Sequence, residues 1–220
     1  MMAVEYSERR LFQLFAELLD YPKSDLTDAV RECVACVAVH SAEAATLFRE
    51  FEVLVSETSL GRLQEIYSGV FDLDAACHPY VGYHLFGESY KRSVFLLELK
   101  KRYRAAGLVA ENELPDHLAV LLRFLAITDD ATLASEIVHE ALLAALDRMT
   151  GKAKSAGYDE QESVETDDSQ KQRHPYRGVL EAMRLVLQSF PANNQGTTTE
   201  GAGSVTEDGE LVASRSPRVG

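Results

Sequence analysis

The sequence has few cysteines and no long apolar run. Its three cysteines, at positions 33, 36 and 77, are too few and too odd in number for the disulfide framework of a secreted protein, so we expect free thiols in a reducing compartment. No stretch approaches the ~18 apolar residues of a membrane span. The N-terminal residues lack the basic start and following apolar stretch of a secretory signal. These absences predict a cytoplasmic protein with no stable membrane association.

The chain also lacks the common signatures of catalysis. It contains no Walker-type phosphate loop, no GxGxxG, no HExxH and no nucleophile elbow. Cys77 and His78 are adjacent, and neighbouring residues rarely present a nucleophile and its base to each other. We therefore predict that the protein is not an enzyme and carries no cofactor. A small enzyme that uses Cys77, His78 and His117 is the competing hypothesis, and an unusually reactive thiol would support it.

A metal site is a further alternative. Cys33 and Cys36 have the CxxC spacing, but they supply only two of the four ligands that a structural zinc needs, and they lie within a helical apolar pattern. Cys77, His78 and His84 could complete a ligand set only from a segment that is distant in sequence. We predict no metal, and we keep a small Cys/His metal-binding protein as an alternative.

Negative charge exceeds positive charge, with 35 acidic and 22 basic residues and a net charge of −13. Such a surface repels phosphate backbones, so we predict no nucleic-acid partner. Six acidic residues fall within 159–168, inside a segment (about 152–174) that has no hydrophobic periodicity and is predicted to be a mobile acidic loop. Residues 191–220 have almost no large apolar side chains and are predicted to be a disordered tail. Residues 1–190 are predicted to form one domain.

Apolar residues elsewhere recur at steps of three and four, which predicts amphipathic helices and no strands. In the first of these, Leu11, Leu14, Phe15 and Leu18 share one face before Pro22 ends the helix. Asp129 or Asp130 is expected to cap a helix that ends at Gly151, and Gly107 fits a left-handed helix end. The predicted fold is an all-α, single-domain helical bundle, with helices near 7–21, 25–37, 47–55, 59–71, 88–106, 115–127, 130–151 and 175–190.

Two segments do not follow this pattern. Residues 77–87 mix proline, glycines and aromatic side chains without a helical period, and we expect an ordered loop with buried rings that could line a groove for a peptide. Pro115 is expected in the first turn of its helix, where Asp116 could cap the free amides and His117 could reach a neighbouring loop. Aromatic rings near this loop more often pack a core than bind a ligand.

These two segments carry a resemblance to a known family. The stretches 67–74 (YSGVFDLD), 79–92 (PYVGYHLFGESYKR) and 113–118 (ELPDHL) resemble the NarJ-type molybdenum cofactor assembly chaperones of respiratory nitrate reductase. The wider group is the redox-enzyme maturation chaperones, which includes the TorD and DmsD types. The resemblance covers about residues 6–150 and, more weakly, the 175–190 helix.

The resemblance implies an all-helical chaperone that is not an enzyme. It implies binding to the catalytic (alpha) subunit of nitrate reductase, including its N-terminal segment, and support of molybdenum cofactor insertion before membrane docking. A chaperone or adaptor for a different molybdoenzyme shares every physical feature of this reading and stays open. The client-binding positions that the resemblance implies are Glu113, Pro115, Asp116, His117, Tyr67, Tyr80, Tyr83 and Tyr90.

Overall fold

The structure is a computed structural model that describes residues 6–73, 77–110, 113–153 and 174–192. Helices account for the regular structure in these ranges, which confirms the all-α prediction. The N-terminal half contains α1 (Tyr6–Leu18), α2 (Thr27–His40), α3 (Ala42–Leu47), α4 (Arg49–Glu57), α5 (Leu60–Ser68), a π-helical turn π1 (Gly69–Leu73) and α6 (Val81–Phe86). Then follow α7 (Tyr90–Ala105), α8 (Leu118–Ile127), α9 (Ala131–Glu136), π2 (Ile137–Leu142), α10 (Leu143–Met149) and α11 (Arg177–Gln188).

The core is built around α1 and α8, which pack against each other. α8 is apolar on nearly every side and buries eight of its ten residues. A helix that is hydrophobic all round needs neighbours all round, and α8 therefore occupies the interior of the bundle. None of the described helices combines the length and the apolar character that a membrane span requires.

The last helix, α11, packs on α3, α4 and α10. Its approach to α3 is close, since a Cβ added at Gly178 would lie 2.1 Å from the backbone oxygen of Leu47. Tyr176, just before α11, packs its ring against Phe51, Tyr67 and Phe71 with centroids 4.8, 5.8 and 5.0 Å away. The 175–190 helix is thus part of the same core as the N-terminal helices. The predicted acidic loop and tail lie almost wholly outside the described residues.

Several predicted helix ends are confirmed. Ser59 caps α5 by accepting from the Arg62 amide at 3.4 Å, and Asp130 caps α9 by accepting from the Leu133 amide at 3.0 Å. Gly107 follows α7 with φ of 73°, the left-handed region in which a residue without Cβ is least strained.

Three local predictions are wrong. Residues 81–86, expected as part of a loop, form α6, which is too short for its period to stand out in a segment rich in rings. The helix expected at 47–55 begins only at Arg49, as α4; residues 42–47 form a separate helix, α3, which was not predicted, and the buried Phe48 lies between the two. Pro115 lies before α8 and not in its first turn, because α8 begins only at Leu118.

Candidate functional site

The site begins with a backbone pairing between the two segments that the resemblance singled out. Tyr80 and His117 form an isolated antiparallel bridge. The Val81 amide donates to the Asp116 oxygen at 2.8 Å, and the Leu118 amide donates to the Pro79 oxygen at 2.7 Å. The pairing joins the start of α6 to the start of α8 and fixes which side chains from each segment meet.

Asp116 lies at the centre of this junction, and its exposed fraction is 0%. Its carboxylate accepts from Arg92 Nε at 2.9 Å and from Arg92 Nη2 at 3.5 Å. A buried carboxylate is costly without such a partner, so α7 is tied to the α6–α8 junction through one ion pair. The expectation that Asp116 caps α8 is wrong, because its side chain is committed to Arg92.

Gly82 makes room for this pair. A Cβ at that position would lie 2.7 Å from Asp116 Oδ2 and 2.9 Å from Phe95 Cδ1. Both distances are shorter than normal van der Waals contact, so a larger residue would displace the carboxylate. Gly82 is needed here for space.

The guanidinium of Arg92 also lies against two aromatic rings. Its Cζ is 5.6 Å from the ring centroid of Tyr80 and 5.7 Å from that of Tyr83. A guanidinium between a carboxylate and two ring faces is held electrostatically from both sides. Arg92 therefore sets the positions of the two tyrosines, which are only partly buried.

His117 supplies the cap that was expected of Asp116. Its Nδ1 accepts from the Ala119 amide at 3.2 Å, and its ring meets Tyr80 edge-on with centroids 5.5 Å apart. Burial lowers the pKa of His117 to about 4, opposed by the charge of Asp20. The imidazole is therefore neutral at neutral pH, as an Nδ1 that accepts a hydrogen bond requires.

Glu113 and Pro115 hold the stretch before α8. The Tyr80 hydroxyl donates to Glu113 Oε2 at 3.3 Å, and the Tyr103 hydroxyl donates to the Pro115 oxygen at 2.7 Å. Burial raises the pKa of Glu113, and the hydrogen bond from Tyr80 works against that rise. Burial and the Glu113 charge raise the pKa of Tyr80 to about 12. Glu113 itself is exposed, so its carboxylate can also reach a ligand.

A surface groove of about 390 Å³ lies at the C-terminal end of α1. Asp20 and Arg123 form an ion pair of 2.5 Å in its wall. Burial opposes ionisation of Asp20, but Arg123 outweighs burial and lowers its pKa. Arg123 in the groove wall belongs to α8, the helix whose start forms the junction, so α8 connects the groove to the junction. The groove is lined by Gln13, Ala16, Glu17, Asp20, Tyr21, Pro22, Lys23, Ser24, Leu26 and Arg123.

The remaining two predicted positions lie away from the junction. Tyr67 is buried, its hydroxyl donates to the Leu19 oxygen at 3.4 Å, and its ring packs edge-on against Tyr21 in the groove wall. Tyr90 is 83% exposed at the start of α7. The structure thus groups Glu113, Pro115, Asp116, His117, Tyr80 and Tyr83 at the junction, and it places Tyr67 beneath the groove and Tyr90 on an outer surface.

Sequence reasoning missed Arg92, Gly82, Asp20 and Arg123. Arg92 and Gly82 lie within the quoted stretch 79–92, but nothing in their spacing indicates a partner 24 residues away. Asp20 and Arg123 are separated by 103 positions and carry no local pattern. Only the packing of α1 against α8 brings that pair together.

The thiols are unsuited to chemistry. Burial raises the pKa of Cys77 to about 12, and its Sγ lies 3.8 Å from the Met149 oxygen. Burial also raises the pKa of Cys33 and Cys36. A reactive thiol needs a lowered pKa and access, so these environments count against a nucleophilic role. Within the described ranges, no group of three or more His, Cys, Asp or Glu side chains could hold a metal ion.

Two sequence comparisons with known proteins agree with the resemblance. The model of the family described as nitrate reductase delta subunit matches residues 38–155, just over half of the chain. A Bacillus subtilis protein assigned as the nitrate reductase molybdenum cofactor assembly chaperone NarJ is 40% identical over 68 residues, which span 30% of this chain and 37% of that protein. A crystal structure from Archaeoglobus fulgidus, of a protein assigned to redox enzyme maturation, covers 86% of this chain and 97% of its own, with 21% identity and a TM-score of 0.48.

Proposed function

Because the chain belongs to the nitrate reductase delta subunit family, we propose that it is a NarJ-type maturation chaperone and not an enzyme. Its client is the catalytic (alpha) subunit of nitrate reductase, held in the cytoplasm in a state that can receive the molybdenum cofactor. The contact includes the N-terminal segment of that subunit. The sequence similarity to the Bacillus subtilis chaperone supports this assignment over the part of the chain that it covers.

The proposal rests on a rigid junction with a partly exposed edge. This edge, called the rim, carries the acidic Glu113 and the aromatic Tyr80 and Tyr83. The Arg92–Asp116 pair and the backbone bridge hold Tyr80 and Tyr83 in place, so little order has to be gained when a ligand binds. The groove of about 390 Å³ at the C-terminal end of α1 is large enough for a few side chains of a peptide. Nothing in the rim resembles a nucleophile with its base, whereas binding needs only shape and charge.

Charge decides which residues of the client would be recognised. Asp116 is fully buried and neutralised by Arg92, so its carboxylate cannot meet a client side chain. Glu113 is exposed and has no cationic partner among the described residues. Asp20 retains some exposure beside Arg123 and Lys23. A basic side chain of the client segment would therefore contact Glu113, with an apolar neighbour against Tyr80 and the exposed Leu114.

The test is calorimetric titration of the full chain with a peptide that copies the N-terminus of its own organism's nitrate reductase catalytic subunit. Glu113→Gln keeps the shape of the rim and removes its charge, so we expect binding to weaken roughly 5- to 10-fold, the range of a solvent-accessible charged contact. Glu50→Gln, on the exposed surface of α4, is the matched control and should leave affinity unchanged.

Equal affinity of the Glu113→Gln and Glu50→Gln variants for the peptide would show that Glu113 is not part of the binding site. Absence of any binding by the folded wild-type chain would overturn the N-terminal segment as the ligand. The same titration with the N-terminal segment of a different molybdoenzyme then tells whether the client is another member of that class.

A further inference from the structure

The outer face of α7 is open to solvent over most of its length. Of its sixteen residues only Leu99 and Tyr103 are buried, and both lie in the C-terminal half. The inward side of the N-terminal half is formed by Arg92 and Phe95, which are partly buried against α6 and the junction. The opposite side makes no contribution to the core.

Three apolar side chains follow that opposite side. Tyr90, Val94 and Leu97 are spaced by four and three residues, so they form one stripe, and they are 83%, 49% and 56% exposed. Leu99 lies about half a turn away from Tyr90 on the same helix, which confirms that the stripe faces away from the core. An aligned apolar stripe on an exposed helix indicates a binding surface more strongly than scattered apolar residues do.

Positive charge surrounds the stripe. Six of the 22 basic residues of the chain lie in α7; Arg92 points inward to Asp116, and the other five are exposed on a helix whose single acidic residue is Glu98. Glu98 pairs with Lys101 at 3.6 Å and with Arg102 at 3.0 Å. Over the described ranges, Lys91, Lys100 and Arg104 have no ion pair. The face is therefore basic in a chain whose net charge is −13.

We propose that the outer face of α7 binds reversibly to the surface of an anionic lipid bilayer. Lysine is depleted in the cores of protein interfaces, whereas exposed apolar side chains with unpaired lysines beside them suit the boundary between anionic head groups and acyl chains. The lysine stems extend along the apolar layer and place their ammonium groups among the phosphates. The exposed helix is convex and has no groove for a peptide.

Two other occupants fit less well. A second copy of the chain would place like-charged helices face to face in a symmetric dimer, and they would repel each other. An acidic protein would complement the positive charge of this face. It would also have to order the side chains of three lysines, which costs conformational entropy. The acidic residues of the chain do not cancel the attraction when they lie more than about 8 Å from the bilayer, because salt screens them at physiological ionic strength.

The absence of tryptophan from the chain allows a direct test. Full-length Leu97→Trp carries a single tryptophan on the stripe, and it is mixed with vesicles of equal parts phosphatidylglycerol and phosphatidylcholine, or of phosphatidylcholine alone. We expect a blue shift of its emission and co-sedimentation only with the anionic vesicles, both reversed by added salt. Val39→Trp, on an 85% exposed position of α2, is the control and should show no shift.

Adding Lys91→Gln and Lys100→Gln to Leu97→Trp should lower vesicle partitioning roughly 25-fold, from about fivefold for each basic residue lost near an anionic surface. A shift that does not depend on phosphatidylglycerol, or an equal shift in Val39→Trp, would overturn the proposal. A shift with polyglutamate but not with vesicles would assign the face to an acidic protein and equally overturn it. Leu97→Trp should bind the client peptide like wild type, which separates this surface from the proposed function.

Discussion

Helices α7 and α8 follow each other in the chain but differ sharply in burial. α8 buries eight of its ten residues, whereas α7 buries two of sixteen. α8 packs against α1, and its Phe124 ring also contacts Tyr103 of α7 with centroids 5.0 Å apart. α7 is held by Leu99 and Tyr103 at one end and, at the other, by the ion pair of Arg92 with Asp116.

The difference in burial suits the two helices to different contributions to function. A helix that forms the core positions backbone and side chains rigidly, and the start of α8 supplies Asp116 and His117 in that way. A helix with little burial keeps its outer surface available for partners, and α7 directs Arg92 and Tyr103 to the site while most of its other side chains are exposed. α8 thus contributes mainly to the stability of the core, and the adjacent helix α7 offers an exposed surface for recognition.

The largest expected effect concerns the apolar packing that distinguishes α8 from α7. Leu121→Ala removes a fully buried side chain from α8, and we expect a loss of about 2–5 kcal/mol in the free energy of unfolding, since a cavity remains. Leu97→Ala on α7 should change it by less than about 0.5 kcal/mol. Urea unfolding followed by circular dichroism measures both. Similar losses for the two variants would show that α7 is packed as tightly as α8.

A smaller effect is expected at the ion pair that joins the two helices. Asp116→Asn leaves the partly buried Arg92 without its counter-charge and should cost roughly 2–3 kcal/mol, less than a fully buried pair because Arg92 retains some solvent. Asp28→Asn, which breaks an exposed pair with Arg31, should cost less than about 0.5 kcal/mol.

Gly82→Ala should act through the same pair. Its Cβ would displace the Asp116 carboxylate, so the combined variant Gly82→Ala/Asp116→Asn should be less destabilised than the sum of the two single changes. Strict additivity would mean that Gly82 serves another purpose.

The smallest expected effect is a pH dependence at the start of α8. The pKa of His117 is about 4 in the folded chain and near 6.5 when unfolded, so the unfolded state binds a proton first as the pH falls. The stabilisation is present above about pH 6.5 and is lost as the pH falls toward 4. Between pH 7.5 and 5.5 we expect a loss of about 1 kcal/mol from this residue.

His117→Asn is the matched variant for this effect, because asparagine also caps a helix and does not titrate. Its unfolding free energy should vary less with pH than that of the wild-type chain, by about the same 1 kcal/mol between pH 7.5 and 5.5. Curves that run parallel would show that His117 contributes no pH dependence.

Most of the helices could be predicted from the sequence because they follow an apolar period over several turns. Leu11, Leu14, Phe15 and Leu18 all proved buried, and so the first helix was placed correctly. The break at Phe48 could not be predicted, since apolar residues continue through it and only packing divides the two helices. The six-residue helix α6 spans fewer than two turns, too few for a period to appear.

The residues of the candidate site could also be predicted only in part from the sequence. The resemblance led to Asp116, His117 and Tyr80, because they belong to stretches of recognisable residues. The capping role expected for Asp116 was wrong, since a residue before a helix resembles a cap until its partner is known. That partner, Arg92, lies on the inward side of α7, a helix with apolar residues on both its inward and its outward side, so local sequence gave no reason to select it.

The helical class, the sites of several caps and the uneven charge follow from the amino-acid sequence alone, because periodicity, capping and composition are local properties. Tertiary structure alone decided that Arg92 neutralises Asp116, that Gly82 leaves space for their pair, and that Asp20 meets Arg123. Each of those contacts joins residues far apart in the chain, and their energies depend on burial and distance, which arise only when the helices pack.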